Sequence, residues 1–469
     1  MTESQQKHRM NRRRFLIGSG ALLGAAVASP LLGGCVPVTE TPAGEPPAAP
    51  AGEPGAAEPT GAQEVSDFGV PYPEDAAPKE HQYIVRLQEA GSFASMDLAE
   101  SVYSRPGVVN DFFSEPLARL DNNLNVVPGM AQSWEVADDG LTWTFHLTPG
   151  LMWSDGNEVT AEDFVATFRY MADPDHAYDF IWYWQAAIKN MAECAAGELP
   201  LEELGVRVGE TPYDVVFETY APTPYLPGMM VYSCPLSKAG LEQYGSGIYN
   251  TNPETCISCG PYKLQEWSPD RRFVLVANPD YKGALKPMIN TIIATVVSGG
   301  DNITRFQAGE VDTINIGTAD IQRVMADENL RSLLKTSTGD FRTYYAFFDV
   351  TAPPYDDERV RRAFAKAIDR ESIVESILAP LALPAYSFLM PGFPDANSEG
   401  LKPIQEFDPE AARALLAEAG YPDGQGFPRA TLVARGTSAD VVPQAVAASI
   451  SQTLGIEIEV AYKADRDWT

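Results

Sequence analysis

Residues 141–170 have the sequence LTWTFHLTPGLMWSDGNEVTAEDFVATFRY, and this stretch is the most informative about the fold. Its first part alternates apolar side chains, including Trp143 and Phe145, with polar ones, which is the pattern of a strand with one buried face. A Pro-Gly pair ends the strand. Thr160 is then expected to cap a helix, with Asp163 reaching back to the capping residue. The stretch predicts a strand, a turn and a capped helix, and we identify no catalytic group in it.

Residues 1–35 have the features of an export signal. Arg12 and Arg13 begin a segment that resembles the twin-arginine signal, and an apolar run follows it. The run ends in Leu-Gly-Gly-Cys35, which resembles the box before a lipidated cysteine. The alternative is a transmembrane anchor, but the run is only just long enough to span a bilayer. We expect cleavage before Cys35, whose lipid would hold the protein at a membrane.

Residues 36–80 are expected to form a disordered tether. From Thr41 to Thr60 the chain contains only Pro, Ala, Gly, Glu and Thr. Such a segment has almost nothing apolar to bury, so burial cannot offset the entropy lost on ordering. The tether would hold a folded domain a short distance from the membrane surface.

The composition excludes one class of function. Acidic residues outnumber basic ones by 64 to 34, and the formal net charge is −30. Nucleic-acid binding needs a basic surface, so we expect no nucleic-acid partner. The charge does not identify a cationic ligand, because solvated surface carboxylates give the same balance.

Four cysteines follow the lipidation candidate, namely Cys194, Cys234, Cys256 and Cys259. An even set in an exported protein favours disulfides, and four cysteines allow three pairings. We favour a bond from Cys234 to either Cys256 or Cys259, with Cys194 bonded to the other. The Cys-x-x-Cys spacing also fits a redox pair or half of a zinc site. It leads into a Gly-Pro pair rather than into a helix, so nothing lowers the thiol pKa, and we expect no metal site.

Strands and helices alternate along the rest of the chain. The absence of a solenoid repeat and this alternation predict an α/β protein with more than one lobe. The predicted strands are 83–89, 214–220 as the second strand of a hairpin, 260–264, 273–277, 291–297, 311–316, 344–350 and 456–460, and the predicted helices are 303–308, 357–378, 408–420 and 443–454.

Several motifs in a fixed order accompany residues 141–170. They are Gly260-Pro-Tyr262 with Asn278-Pro-Asp-Tyr281, Phe306-Gln-Ala-Gly-Glu-Val-Asp312, Pro354-Tyr-Asp-Asp357 with Arg359-Val-Arg-Arg-Ala363, and Phe407-Asp-Pro-Glu-Ala-Ala412 with Leu415-Leu-Ala-Glu-Ala-Gly-Tyr421. Together they resemble the extracellular solute-binding proteins of peptide- and nickel-type ABC importers, called family 5.

This resemblance implies a two-lobed periplasmic-binding-protein-like fold of type II, cluster C. We expect a first lobe over 81–272, with a subdomain near 115–205, and a second lobe over 273–469. The lobes of such proteins close on a ligand held in the cleft between them. The implied function is capture of a peptide or similar small organic solute and its delivery to a membrane permease, by a monomer without a cofactor.

The resemblance also implies that family members continue beyond the position of Thr469. We therefore expect that the second lobe is incomplete and that its C-terminal part is missing. That part carries, in peptide binders, an acidic residue that pairs with the amino terminus of the ligand. An unpaired sheet edge and impaired closure are the expected consequences.

Ligand contacts in this family come from cleft loops and aromatic side chains. For each candidate the alternative is a plain surface turn or ordinary core packing. The candidates are Phe93 and Ser95 after the first strand, Tyr183 and Trp184 in the aromatic run 180–184, Tyr345 and Phe347 on one face of a strand, and Tyr386 in a later loop.

Other functions remain as alternatives. An exported hydrolase is the main one, and Ser332-Leu-Leu-Lys335 matches a Ser-x-x-Lys pattern but lacks its partner motifs. A sensor or chaperone without a transport role is another. Within transport, the family also binds nickel chelates, haem and oligosaccharides, although peptide is the commonest ligand.

Overall fold

The computed structural model describes residues 64–74, 76–89, 97, 99, 112–121, 125–176, 178–245, 249–268, 271–297, 300–335, 343–390, 396–436 and 440–463. The chain divides into two compact units, Met1–Ile314 and Asn315–Thr469. The predicted boundary between residues 272 and 273 is wrong, because it falls inside a sheet of the first unit. Within the described residues, no helix is both long enough and apolar enough to cross a bilayer.

The first unit contains two larger sheets. In one, the strand order is β1–β10–β9–β8, with β1 parallel to β10 and the other pairs antiparallel. In the other, the antiparallel order is β4–β5–β7–β6. The strands are β1 Tyr83–Glu89, β2 Ala118–Leu120, β3 Val126–Pro128, β4 Ala131–Val136, β5 Thr142–Leu147, β6 Val206–Val208, β7 Asp214–Glu218, β8 Tyr262–Ser268, β9 Arg272–Ala277 and β10 Thr291–Val297.

Short helices connect these strands. The helices of the unit are α1 Ala161–Met171, α2 Ile181–Gln185, α3 Met191–Ala195, α4 Leu226–Met229, α5 Lys238–Tyr244 and α6 Asn302–Gln307. The sheet around residues 141–170 extends to Glu218, past the predicted end of the subdomain at residue 205.

The predicted strand, turn and helix of residues 141–170 are confirmed. Trp143, Phe145 and Leu147 of β5 are buried, whereas the residues between them are half-exposed. At the start of α1 the Thr160 amide donates a 2.9 Å hydrogen bond to the Asp163 carboxylate, which completes a capping box. Local sequence is sufficient here because the alternation of side chains defines the strand and the capping box joins residues three positions apart.

Aromatic side chains fill the core of the first unit. Phe168 of α1 makes edge contacts with Phe217 of β7 and with Trp184 of α2, at ring-centroid distances of 5.1 and 4.9 Å. These three rings are buried and hold α1 and α2 against the sheet.

The second unit packs helices around a parallel pair of strands. Buried Val360, Phe364, Leu416 and Ile450 form its core. The strands are β11 Ala430–Arg435 and β12 Ile458–Lys463, and the helices are α7 Ile321–Ala326, α8 Glu328–Leu333, α9 Glu358–Lys366, α10 Arg370–Ile373, α11 Ser398–Gln405, α12 Pro409–Glu418 and α13 Val442–Leu454.

The predicted helix over 357–378 is broken into α9, α10 and a π-helical turn at Val374–Leu378. Ser449 of α13 causes the break. Its hydroxyl donates to the Ala367 carbonyl and accepts from the Asp369 amide. Asp369 then caps the new helix through the Ser372 amide.

Two predicted strands are absent. Residues 311–316 make only an isolated bridge between Arg86 and Thr313, because the Asp312 carboxylate accepts from the Val85 amide where a strand partner would lie. Residues 344–350 lie in no regular strand and pair with no strand among those described.

Candidate ligand-binding surface

The aromatic run 180–184 packs mainly inward. Trp184, a predicted ligand contact, is fully buried against Phe168, so a ligand cannot reach it without unfolding. Tyr183 is stacked on Phe180 at 4.8 Å, and its hydroxyl donates to the Met229 carbonyl. Burial, and then the nearby Tyr232, raises the pKa of Tyr183. Core packing, the alternative to ligand binding, applies to Trp184.

Trp182 is the exposed ring of this run, with 55% of its surface accessible. Its edge contacts Phe180 at 4.9 Å. The sequence did not single it out, because a five-residue helix has too few turns to show which face is buried.

Tyr345 and Phe347 lie at the surface of the second unit, 61% and 74% exposed. Phe388, from the loop after the π-helical turn, joins them and is 70% exposed. The Tyr345 ring lies 4.7 Å from Phe388 and 6.2 Å from Phe347, measured between centroids. These three residues form what we call the aromatic surface.

The backbone beside the aromatic surface lies in no helix or strand. We call residues 344–348 the edge segment. In the part of the chain that the structure describes, no backbone amide or carbonyl of the edge segment forms a hydrogen bond. Exposed backbone of this kind is ready to pair with another extended chain.

Hydrogen bonding and packing fix the edge segment at its two ends. The Thr343 hydroxyl donates a 2.9 Å bond to the carbonyl of Phe388. At the other end, the ring of Phe348 turns inward and packs against Tyr355 and Phe364, at 5.2 and 5.6 Å. The outward rings are therefore held by a segment anchored to the core.

Tyr386, the last predicted contact, is buried instead. Its hydroxyl donates to Glu371, whose carboxylate also lies 3.1 Å from the Lys402 ammonium. The cations of Arg370 and Lys402 lie 5.5 and 5.3 Å from the Tyr386 ring centre. Burial, together with Glu371, raises the pKa of Tyr386. This residue therefore fixes the loop that carries Phe388.

The other predicted sites lie outside the described residues or differ from expectation. Phe93, Ser95 and Cys35 are not among those described. Among the described residues, the predicted disulfides between Cys194, Cys234, Cys256 and Cys259 are not formed. The Cys194 thiol donates to a carbonyl, and Cys259 contacts the Ser114 hydroxyl. Burial raises the pKa of Cys256 and Cys259, so both stay protonated.

Groups with catalytic or metal-binding potential are engaged elsewhere. Ser332 of the Ser-x-x-Lys pattern donates its hydroxyl to the Asn329 carbonyl inside α8. Among the described residues, no three His, Cys, Asp or Glu side chains are placed to hold a metal ion. The aromatic surface itself offers apolar contact and backbone hydrogen bonding.

Sequence reasoning missed Phe388. The stretch LALPAYSFLMP over residues 381–391 is unusually apolar for a loop. Apolar side chains in a loop that also contains two prolines are the signal that could have pointed to it, because a loop lies at the surface.

Comparison with known proteins identifies relatives of the chain. Residues 125–469 match the family described as bacterial extracellular solute-binding proteins, family 5 Middle. The periplasmic oligopeptide-binding protein OppA of Salmonella typhimurium is 34% identical over 310 residues, covering 63% of this chain and 54% of that protein. The probable deoxycholate-binding periplasmic protein YgiS of Escherichia coli is 31% identical over 323 residues, covering 67% of this chain and 58% of that protein. The chain thus spans a little over half the length of these relatives.

Solved structures agree on the fold. The murein tripeptide binding protein MppA of Escherichia coli superimposes with a TM-score of 0.64 at 26% identity, covering 82% of this chain and 75% of that one. The α/β fold is therefore shared with a periplasmic binding protein of this kind.

Proposed function

Because this chain belongs to the bacterial extracellular solute-binding proteins of family 5, we propose that it binds peptides outside the cytoplasm for an ABC importer. In this role it passes its ligand to a permease in the membrane and does no covalent chemistry. Two relatives support a peptide ligand by their names, one as an oligopeptide-binding and one as a murein tripeptide binding protein.

One observation carries the proposal, namely that the backbone of the edge segment forms no hydrogen bond to any described residue. An extended peptide that lies along residues 344–348 gains main-chain hydrogen bonds whatever its sequence. The exposed rings of Tyr345 and Phe347 lie beside this backbone and can contact its side chains. This combination suits a receptor that takes peptides of varied sequence.

The proposal is tested with backbone-methylated peptides. Calorimetric titration of the full chain compares an alanine-rich five-residue peptide with variants that carry one N-methyl group at successive positions. We expect affinity to fall about tenfold where the methyl group replaces the hydrogen of an amide that donates a hydrogen bond to the edge segment. At the alternate positions we expect little loss, because strand pairing along one edge uses every second amide. Uniform effects of methylation along the peptide, or no binding of any peptide, would contradict the proposal.

We further propose that the chain is exported by its twin-arginine segment and anchored through lipidated Cys35. The support is the sequence of residues 1–35 and the tether that follows. The Cys35→Ala variant should leave the membrane fraction of cells and appear in the soluble extracytoplasmic fraction. Retention of this variant at the membrane would show that the apolar run itself is the anchor.

A further inference from the structure

We propose that residues 64–72 form a strap that docks on the first unit and fixes the point where the tether leaves it. The sequence predicts a disordered tether over residues 36–80, and this is wrong for its last part. The Ser66 amide donates a 2.8 Å hydrogen bond to the Val70 carbonyl, and the Tyr72 amide donates a 3.0 Å bond to the Glu64 carbonyl. The strap is therefore a closed turn with its own hydrogen bonds.

The hydroxyl group of Ser66 holds the strap together and ties it to a distant part of the chain. Ser66 is buried, and its oxygen accepts hydrogen bonds from the amides of Phe68 and Val70 at 3.2 and 3.1 Å. The same hydroxyl donates a 3.2 Å bond to the carbonyl of Pro287, 221 positions away. One side chain thus both shapes the strap and attaches it shortly before β10.

Asn290, directly before β10, attaches the strap at two further points. Its side-chain oxygen accepts a 3.1 Å hydrogen bond from the Asp67 amide. Its side-chain nitrogen donates a 3.2 Å bond to the hydroxyl of Tyr72, which is buried. These bonds join polar groups of the strap to one specific residue, so they define where the strap docks.

Apolar contact supports the hydrogen bonds. The Phe68 ring meets the rings of Tyr262 and Tyr281 edge-on, with 5.6 and 6.4 Å between centroids. Tyr262 and Tyr281 are both buried, so Phe68 extends the core of the first unit outward.

The docking point lies at one particular end of the sheet. Thr291, which follows Asn290, pairs with Tyr83 at the start of β1, so the strap lies at the amino ends of the parallel strands β1 and β10. Open α/β sheets bind ligands outside the carboxyl ends of their strands. The two ends of β1 are about 20 Å apart, at about 3.3 Å per residue. A tether that starts at the strap does not cross the carboxyl ends, a consequence that rests on the proposed anchoring at Cys35.

Chymotrypsin tests the strap, because it cleaves after aromatic residues and leucine. Residues 36–63 contain none of these, and the bond after Tyr72 precedes a proline and resists cleavage. Cleavage after Phe68 therefore reports release of the strap, and mass spectrometry of the fragments measures its rate. In the full chain we expect this cleavage to be at least about a hundredfold slower than in a free peptide of residues 60–76, because the strap must open first.

Ser66→Ala and Asn290→Ala should each speed cleavage after Phe68 about thirtyfold, because each removes at least two hydrogen bonds of the strap. Lys79→Ala is the matched control. It removes only an exposed ion pair with Asp67 and should change the rate less than about threefold. Circular dichroism shows whether each variant is folded.

Cleavage of the unchanged chain as fast as the free peptide would overturn the docked strap. Equal rates in all three variants would overturn the roles of Ser66 and Asn290 in holding it. The experiment contains no ligand and no membrane, so either result would leave the proposed peptide binding and anchoring standing.

Discussion

Trp182 and Trp184 are two positions apart in one short helix, yet they have opposite environments. Trp184 is fully buried against Phe168, whereas Trp182 is more than half exposed. We expect Trp184→Ala to lower the free energy of unfolding by about 3–5 kcal/mol, because it leaves a cavity. Trp182→Ala should lower it by less than about 0.5 kcal/mol. Urea denaturation followed by circular dichroism measures both, and similar losses would contradict this assignment of the two rings.

Tyr386 offers a second test at the level of single residues. In Tyr386→Phe the ring stays but the hydrogen bond to Glu371 is lost. Since a hydrogen bond to a charged group is worth more than a neutral one, we expect a loss of about 2 kcal/mol in the free energy of unfolding. Tyr225→Phe, at an exposed ring outside the edge segment, is the control and should leave the free energy of unfolding unchanged. A stable Tyr386→Phe protein with weakened peptide affinity would instead make Tyr386 a ligand contact.

Sequence reasoning at the residue scale could not tell exposed aromatic residues from buried ones. Exposed Tyr345 and Phe347 were singled out, but so were Trp184 and Tyr386, which are buried. An aromatic side chain suits a core and a binding surface equally, since both are apolar. The choice depends on contacts distant in sequence, such as Trp184 with Phe168 and Tyr386 with Lys402.

Strands β5 and β7 carry a polar pair whose contribution to stability depends on pH. His146 of β5 lies 2.7 Å from Asp214 of β7, and Thr211 donates to the same carboxylate. Burial by itself raises the pKa of Asp214, but the hydrogen bonds from His146 and Thr211 outweigh it and hold that pKa below its usual value. The carboxylate therefore stabilises the fold above its unfolded pKa of about 3.9, and this contribution is lost as the pH falls through the lower folded value.

We expect Asp214→Asn to destabilise the protein by about 1–2 kcal/mol near neutral pH. The difference from the unchanged chain should shrink as the pH falls below about 4. Urea denaturation from about pH 7 to about pH 3 measures this difference. Asp138→Asn, at an exposed turn position, is the control and should show no such trend. A difference that stays constant down to the lowest pH would show that the charge of Asp214 plays no part.

Asp163 joins the start of two helices. Its carboxylate accepts from the Thr160 amide at the start of α1 and from the Lys238 amide at the start of α5, both at 2.9 Å. Asp163→Ala should therefore lower the free energy of unfolding by about 2–3 kcal/mol, roughly twice the value of one cap. Glu162→Ala, at the exposed neighbouring position, is expected to cost below about 1 kcal/mol. Equal losses in a denaturant titration would show that Asp163 is not a double cap.

Elements fixed by local contacts could be predicted from the sequence. The strand and capped helix of residues 141–170 depend on alternation and on a four-residue capping box. The strand predicted over 344–350 shows the limit, because a strand needs a partner and partners are distant in sequence. The break at Asp369 likewise depends on Ser449, eighty residues away.

At the scale of the whole molecule, the family and the α/β fold could be predicted from the sequence. The order of the motifs along the chain was sufficient for this, and no individual contact had to be known. The division of the chain could not. β9 begins at Arg272 and β10 comes after it, but they pair with β8 and β1, so the first unit continues to Ile314. A parallel pair such as β1 and β10 joins residues about two hundred positions apart, and no local sequence pattern predicts this pairing.

The central claim is that a peptide pairs with the edge segment of the second unit. Hydrogen exchange measured by mass spectrometry tests it most directly, on the full chain with and without a saturating mixture of short peptides. The amides of residues 344–348 form no hydrogen bonds to described residues, so they should exchange fast in the free protein. The account predicts that peptide slows exchange in this segment. Peptide binding that protects other segments and leaves residues 344–348 fast would contradict it.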